Sequence, residues 1–154
     1  MPFCYVFTVP TPLSSIAITD DDPDDRELLR EAWRECGIAH PLTYFLNGAE
    51  LLDGLRAQAG GADAAESLPA LVLLDLNMPV MDGFQALIEI RRDPRLQHLP
   101  VVILSTSHAE RDRIRSLQLG ANAFFSKPTD FSSLLELLRH LRDTWLATAP
   151  PRRT

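Results

Sequence analysis

The run Leu71-Val72-Leu73-Leu74 is the feature that most narrows what this chain can become. Four apolar residues pass without a polar break, Asp75 follows, and Pro79 and the pair Asp82-Gly83 come close behind. A run this short and apolar at every position has no face to offer water. It predicts a strand buried on both sides, as in a parallel sheet covered by helices. Asp75 then stands at the carboxyl end of a central strand, the edge where open α/β sheets place their chemistry.

The flanking sequence supplies the rest of such a sheet. Short apolar runs at 15–19, 42–46, 101–104 and 123–126 read as four more strands. Between them lie helical patterns. The first, from about Asp24, carries Leu28, Leu29, Ala32, Trp33 and Cys36 on one face and stops at Gly37. After an Asn47-Gly48 turn comes a short helix over 49–56, then a surface loop over 58–69 that contains Gly60-Gly61. A third helix follows Asp82-Gly83 with Phe84, Leu87, Ile88 and Ile90 as its apolar set, and ends near Asp93-Pro94. A fourth runs to Leu119 and stops at Gly120. The last begins near Asp130 with Leu134, Leu135, Leu138, Leu141 and Trp145 along its apolar face. Five strands alternating with five helices predict an α/β fold with right-handed crossovers and a sheet covered on both faces.

A chain of 154 residues suits one domain, here 14–146, between an extension over 1–13 and a proline- and arginine-containing tail over 147–154. A net charge of −6 argues against a broad nucleic-acid-binding face, which needs clustered Lys and Arg. No apolar run approaches the roughly 20 residues that span a bilayer. Residues 1–12 lack the basic leading segment and cleavage site of a signal peptide, and read as a loose extension or a mis-assigned start. Cys4 and Cys36 lack metal-ligand spacing, which fits a reduced cytoplasmic setting.

In the expected sheet, four of the five strand ends carry reactive groups. Asp20-Asp21 follow the first strand, Asp75 the third, Ser105 the fourth and Lys127 the fifth. Two carboxylates ~4 Å apart repel by about 4 kcal/mol at an effective dielectric of 20. Three of them need cations. Lys127, the only lysine in the chain, supplies one. The rest calls for a hard divalent ion with oxygen ligands, and Mg²⁺ fits best because it also accepts phosphate oxygens. An aspartate beside Mg²⁺, an amine and a hydroxyl is suited to accepting a phosphoryl group, with Asp75 as nucleophile.

These residues resemble the receiver domain of two-component response regulators. The matching pieces are Asp20-Asp21, Asp75 followed by Met78-Pro79 and Asp82-Gly83, Ser105, and Lys127-Pro128. The spacing agrees too, with thirty positions from Asp75 to Ser105 and twenty-two from Ser105 to Lys127. The resemblance implies a flavodoxin-like (βα)5 sandwich of strand order 2-1-3-4-5. It implies that Asp75 is phosphorylated by a sensor histidine kinase or a histidine phosphotransfer protein. Asp21 would ligate Mg²⁺ directly, Asp20 largely through water, and Asn77 through its backbone carbonyl. Lys127 would pair with the phosphoryl group, Ser105 would move to it, and Phe124 would change rotamer with Ser105. Asn77, Thr106 and Ser107 would tune phosphate lifetime. The Lys-Pro bond is often cis in such proteins. The protein would be a phosphoacceptor rather than an enzyme, assisting its own phosphorylation and slow autodephosphorylation. The segment Asp143-Thr144-Trp145-Leu146 resembles small stand-alone receivers paired with bacterial phytochrome-type kinases, several of which dimerise; exposed Leu or Trp on the last helix would support a homodimer there.

Taken singly, each residue has a plainer reading. Asp20 to Asp22 could cap a helix, and Asp22 is expected to do only that. Asp75 could be a strand-end acid, Ser105 a turn hydroxyl, Phe124 core, and Lys127 any surface lysine. His40, His98, His108 and His140 read as surface or loop residues. The joint pattern favours the chemical reading for the acids and for Lys127, since arginine's planar fork does not replace a point charge. Two alternatives stand beside it: a degenerate receiver acting only as an interaction module, and an aspartyl-phosphate phosphatase. The phosphatase would need a second aspartate two positions after the nucleophile, where Asn77 stands.

Overall fold

The computed structural model describes residues 13–62 and 67–146. The extension up to residue 12, with Cys4, and the tail over 147–154 lie outside the described residues, as does part of the expected 58–69 loop. In chain order the elements are β1 (Ile16–Thr19), α1 (Pro23–Glu35), β2 (Leu42–Phe45), α2 (Gly48–Ala59), β3 (Leu71–Leu74), α3 (Gly83–Arg92), β4 (Val101–Ser105), α4 (Glu110–Gln118), β5 (Ala123–Ser126) and α5 (Phe131–Trp145). The sheet runs β2-β1-β3-β4-β5 with every pair parallel. This is the flavodoxin-like order expected above.

The sheet is buried from the middle outwards. β1, β3 and β4 are buried at every position, while the edge strands β2 and β5 are half-buried throughout. The period of two along each strand divides the core. Leu71 and Leu73 join Ile16, Ile18 and Val102 against Leu29, Ala32 and Trp33 of α1 and Leu134, Leu138 and Leu141 of α5. Val72 and Leu74 join Ala17, Val101 and Ile103 against Leu51, Leu52 and Leu55 of α2 and Ala86, Leu87 and Ile90 of α3. Each fully buried leucine contributes about 1.5–3 kcal/mol, so the strands form a stiff mount for whatever follows their carboxyl ends.

Polar side chains start the helices. Asp22 accepts from the Asp24 and Asp25 amides, Asn47 from Glu50, Asp82 from Gln85 and Asp130 from Ser133. Asn47 is thus a cap and Gly48 the first residue of α2, rather than a free turn. α2 also outlasts its expected end, running through Gln58 to Ala59 before Gly60. Leu28 is a further difference. Its neighbour Leu29 takes the inward position one hundred degrees round the helix, and Leu28 is left 40% exposed. Lys127-Pro128 is trans, and no cis peptide bond occurs among the described residues. On α5 the leucines and Trp145 are buried or half-buried and complete the core, leaving Phe131 as the exposed large apolar residue of that helix.

Candidate functional site

The sheet's own ladder delivers the acids to one edge. The Asp75 amide donates to the Thr19 carbonyl at 3.1 Å, and the Asp20 amide donates to Phe45 at 3.1 Å. Asp20 and Asp75 are each 7% exposed, while Asp21 faces solvent. One carboxylate oxygen from each of Asp20, Asp21 and Asp75 lies within 4.8 Å of the others. Lys127 enters from the end of β5, and its backbone amide still donates to Ser105 at 2.7 Å. Its Nζ donates to Asp20 at 2.7 Å, Asp25 at 2.9 Å and Asp75 at 3.0 Å. The sequence brought Asp20, Asp21, Asp75 and Lys127 together in expectation, and the structure does so in space.

The charges in this pocket are unequal in their comfort. Burial pushes the Asp75 carboxyl above the ordinary aspartate range. The charge and hydrogen bond of Lys127 pull it back only in part, and the neighbouring Asp20 charge pushes it up again. For Lys127, burial alone would favour the neutral amine. The hydrogen bonds it donates to Asp20 and Asp25 and the charge of Asp75 together outweigh burial, and hold the ammonium above the usual lysine range. Among the described residues Lys127 is the one cation bonded to these carboxylates, and Arg26 donates to the Asp20 backbone carbonyl at 3.0 Å; four carboxylates still leave a surplus of negative charge facing an all-oxygen donor set. That set fits a hard divalent ion, held by Asp20, Asp21 and Asp75.

The loop after Asp75 returns one long hydrogen bond to its carboxylate. The Asn77 amide lies 3.4 Å from Asp75 Oδ1, and the Asn77 side chain is exposed. Gly83 starts α3 against the Asp75 backbone: a Cβ there would meet the Asp75 carbonyl at 2.2 Å. Only glycine lets the helix start this close to the strand end. Val80 at the tip of the loop has a left-handed φ of 68° and is 85% exposed.

Ser105, expected just after the fourth strand, is its last residue and is fully buried. Its Oγ accepts from the Ser107 amide at 3.1 Å rather than reaching the carboxylates. Ser107 Oγ donates to Asp112 Oδ2 at 2.6 Å and accepts from the Ala109 amide at 3.2 Å. Ser126 Oγ in turn donates to the Ser107 carbonyl at 3.3 Å. The β4–α4 connection is therefore a relay of short polar contacts starting at Ser105. Thr106 is exposed beside it. Phe124 pairs with Ile103 across the sheet and packs, half-buried, on the α2–α3 side.

Two participants escaped sequence reasoning. Asp112 reaches Ser107 from the first turn of α4. Asp25 reaches Lys127 from the first turn of α1. Asp25 stands inside α1 while Asp21 precedes its N-cap Asp22, so no helical spacing links the two, and the Lys127 contact spans 102 positions. An acid in a first helical turn is already accounted for by the helix dipole, so neither position stands out as a site residue.

The response regulator receiver domain family matches residues 16–139. Response regulator Rcp1 of Synechocystis sp. is 34% identical over 137 residues, covering 89% of this chain and 92% of its own length. The phosphorylated cyanobacterial phytochrome response regulator RcpA superposes with a TM-score of 0.77 at 36% identity, over 89% of this chain and 96% of its own. The Mn²⁺-bound form of Rcp1 superposes at 0.74 and 32% identity, over 88% and 96%. A response regulator in red light signaling of R. palustris superposes at 0.79 and 31% identity, over 92% and 100%. With the fold, the acid cluster and these likenesses in agreement, the chain belongs to the response regulator receiver domain family.

Proposed function

We propose that Asp75 is the phosphoacceptor of a stand-alone response regulator. An oxygen of Asp75 attacks the phosphorus of a phosphohistidine on a sensor histidine kinase or a histidine phosphotransfer protein. The phosphorus–nitrogen bond breaks and the imidazole leaves. The observation that carries this reading is the buried Asp20–Lys127–Asp75 arrangement, with Asp21 completing a set of oxygen ligands within 4.8 Å. Asp20, Asp21, Asp75 and the Asn77 carbonyl would hold Mg²⁺, which supplies neutralisation of phosphoryl charge when bound. Lys127 answers the same charge from the β5 side.

The likeness to Rcp1 and RcpA over 92% and 96% of their own lengths supports a receiver domain over 14–146, and the likeness to a phytochrome response regulator supports a phytochrome-type kinase as donor. The chain works as a signalling phosphoacceptor that turns over its own phosphate slowly. No helix among the described residues is long and apolar enough to cross a membrane, and a cytoplasmic site of action fits the partners named. Ser105 moving toward the phosphoryl group would pull the Ser107–Asp112 contact and bias the face formed by α4, β5 and α5, with Phe124 filling the space left. Asn77, Thr106 and Ser107, which border the site, tune how long the phosphate lasts. The intact acid set and Lys127 disfavour a degenerate module, and Asn77 disfavours a phosphatase. A homodimer through the last-helix region draws little support from α5, whose leucines finish the core.

The test is labelling of the purified chain by a low-molecular-weight phosphodonor with Mg²⁺. Asp75→Asn is expected to abolish uptake. Undiminished labelling of that variant would sink the assignment.

A further inference from the structure

Lys127 has three N–H donors and spends all three on carboxylates: Asp20 at 2.7 Å, Asp25 at 2.9 Å and Asp75 at 3.0 Å. If Asp75 is the phosphoacceptor, as proposed above, a phosphoryl oxygen must claim one of these donors. The three partners differ in what release costs. Asp20 and Asp75 side chains are 10% and 8% exposed, so neither can be rehydrated cheaply once its cation leaves. The Asp25 side chain is 39% exposed and stands on a helix, not on a strand end. Water can replace Lys127 at Asp25 with little loss. A cleft of about 50 Å³ whose lining includes Asp20, Asp25, Leu28, Leu29, Lys127 and Pro128 opens beside the Asp25–Lys127 pair.

We propose that Asp25 is a positioning residue that holds Lys127 in a resting pose and yields it to the phosphoryl group. Phosphorylation of Asp75 then detaches Lys127 from the first turn of α1. Asp25 acts as a brake on labelling in two ways. It occupies one donor of Lys127, and it adds a negative charge near an incoming phosphodianion. It also turns α1 into a second place where the phosphorylated state differs from the resting one, on the side of the sheet opposite α4.

Asp24 provides a matched control. It lies in the same helical turn, carries the same charge, is exposed, and makes no contact with Lys127. The full chain is labelled with acetyl phosphate and Mg²⁺ as wild type, Asp25→Ala and Asp24→Ala. Asp25→Ala is expected to label about three- to tenfold faster than wild type, the range set by one partly screened charge and one freed donor. Asp24→Ala should stay within about twofold of wild type, as an exposed charge more distant from the site. Amide hydrogen exchange at Asp25, Arg26 and Glu27 gives the second readout. In wild type it should rise when beryllofluoride and Mg²⁺ are added. In Asp25→Ala it should be high beforehand and unmoved by the addition. Equal rates in the two variants, or an Asp25→Ala protein slower than wild type, would overturn the proposal while leaving Asp75 as acceptor. Wild type that takes no label at all would overturn the acceptor reading, and this inference with it.

Discussion

α4 and α5 flank the same edge strand, yet they are attached by different forces. α5 drives Leu134, Leu138 and Leu141 into the core beneath the sheet, and Leu138 and Leu141 are fully buried. α4 buries only Ser116, and its Ile114 and Leu117 are 43% and 39% exposed. α5 starts on a capping aspartate, whereas α4 follows Ala109 with no side-chain cap. What holds the start of α4 is the Ser107–Asp112 contact, supported by Ser116 Oγ donating to the Asp112 carbonyl at 2.7 Å. Arg115, stacked 4.2 Å from the Phe84 ring, ties α4 to α3. Uncovering a fully buried leucine costs about 1.5–3 kcal/mol with nothing in exchange, while a hydrogen bond worth about 1 kcal/mol can be traded for another. The contrast makes α5 part of the frame and α4 the part that can move when Ser105 moves.

The contrast is broken most directly by truncating each mount. Leu138→Ala is expected to cost about 2–5 kcal/mol in denaturant unfolding, because it empties a fully buried site. Lys127→Arg should come next, measured on the chemistry rather than on stability. Labelling by a small phosphodonor should fall about tenfold or more, while the thermal midpoint stays near wild type, since a planar fork cannot reach three carboxylates as one ammonium does. Wild-type labelling in that variant would make the single lysine a coincidence of composition. Ser107→Ala should cost roughly 1 kcal/mol and speed hydrogen exchange in the first turn of α4 without touching α5. Ile114→Ala should sit at the bottom, below about 0.5 kcal/mol, as a half-exposed side chain on the loosely held helix. Comparable losses from Leu138→Ala and Ile114→Ala would erase the distinction between frame and moving part.

Much of this is legible in the sequence because burial on both faces leaves its mark residue by residue. β3 is the case in point: an unbroken apolar run of this length, bounded by Pro79 and Asp82-Gly83, reads as a central strand, and Asp75 follows by position. Lys127 was legible because every other basic residue is arginine. What stayed hidden needed information that no local pattern carries. Leu28 and Leu29 are adjacent and equally apolar, and only the direction of α1 against the sheet decides that Leu29 goes in. The last residues of α2 carry no apolar periodicity, so its extra turn looked like loop. The contact of Asp25 with Lys127 spans 102 positions, and an acid in a first helical turn already has a sufficient local explanation. The Ser107–Asp112 bond spans only five positions, but there too the dipole role of a first-turn acid is a sufficient local explanation.

The central claim is that one carboxylate among several at this edge receives the phosphoryl group. Asp20, Asp21, Asp25 and Asp75 crowd the same pocket, and the account singles out Asp75 because it stands at the end of the central buried strand, paired to Lys127 and accepting from the Asn77 amide. The direct measurement is to label the chain with a small phosphodonor and Mg²⁺, reduce the acyl phosphate with borohydride, and locate the converted residue by peptide mass. The account predicts conversion at Asp75 and at no other acid. Conversion at Asp20, Asp21 or Asp25, with Asp75 untouched, would contradict it.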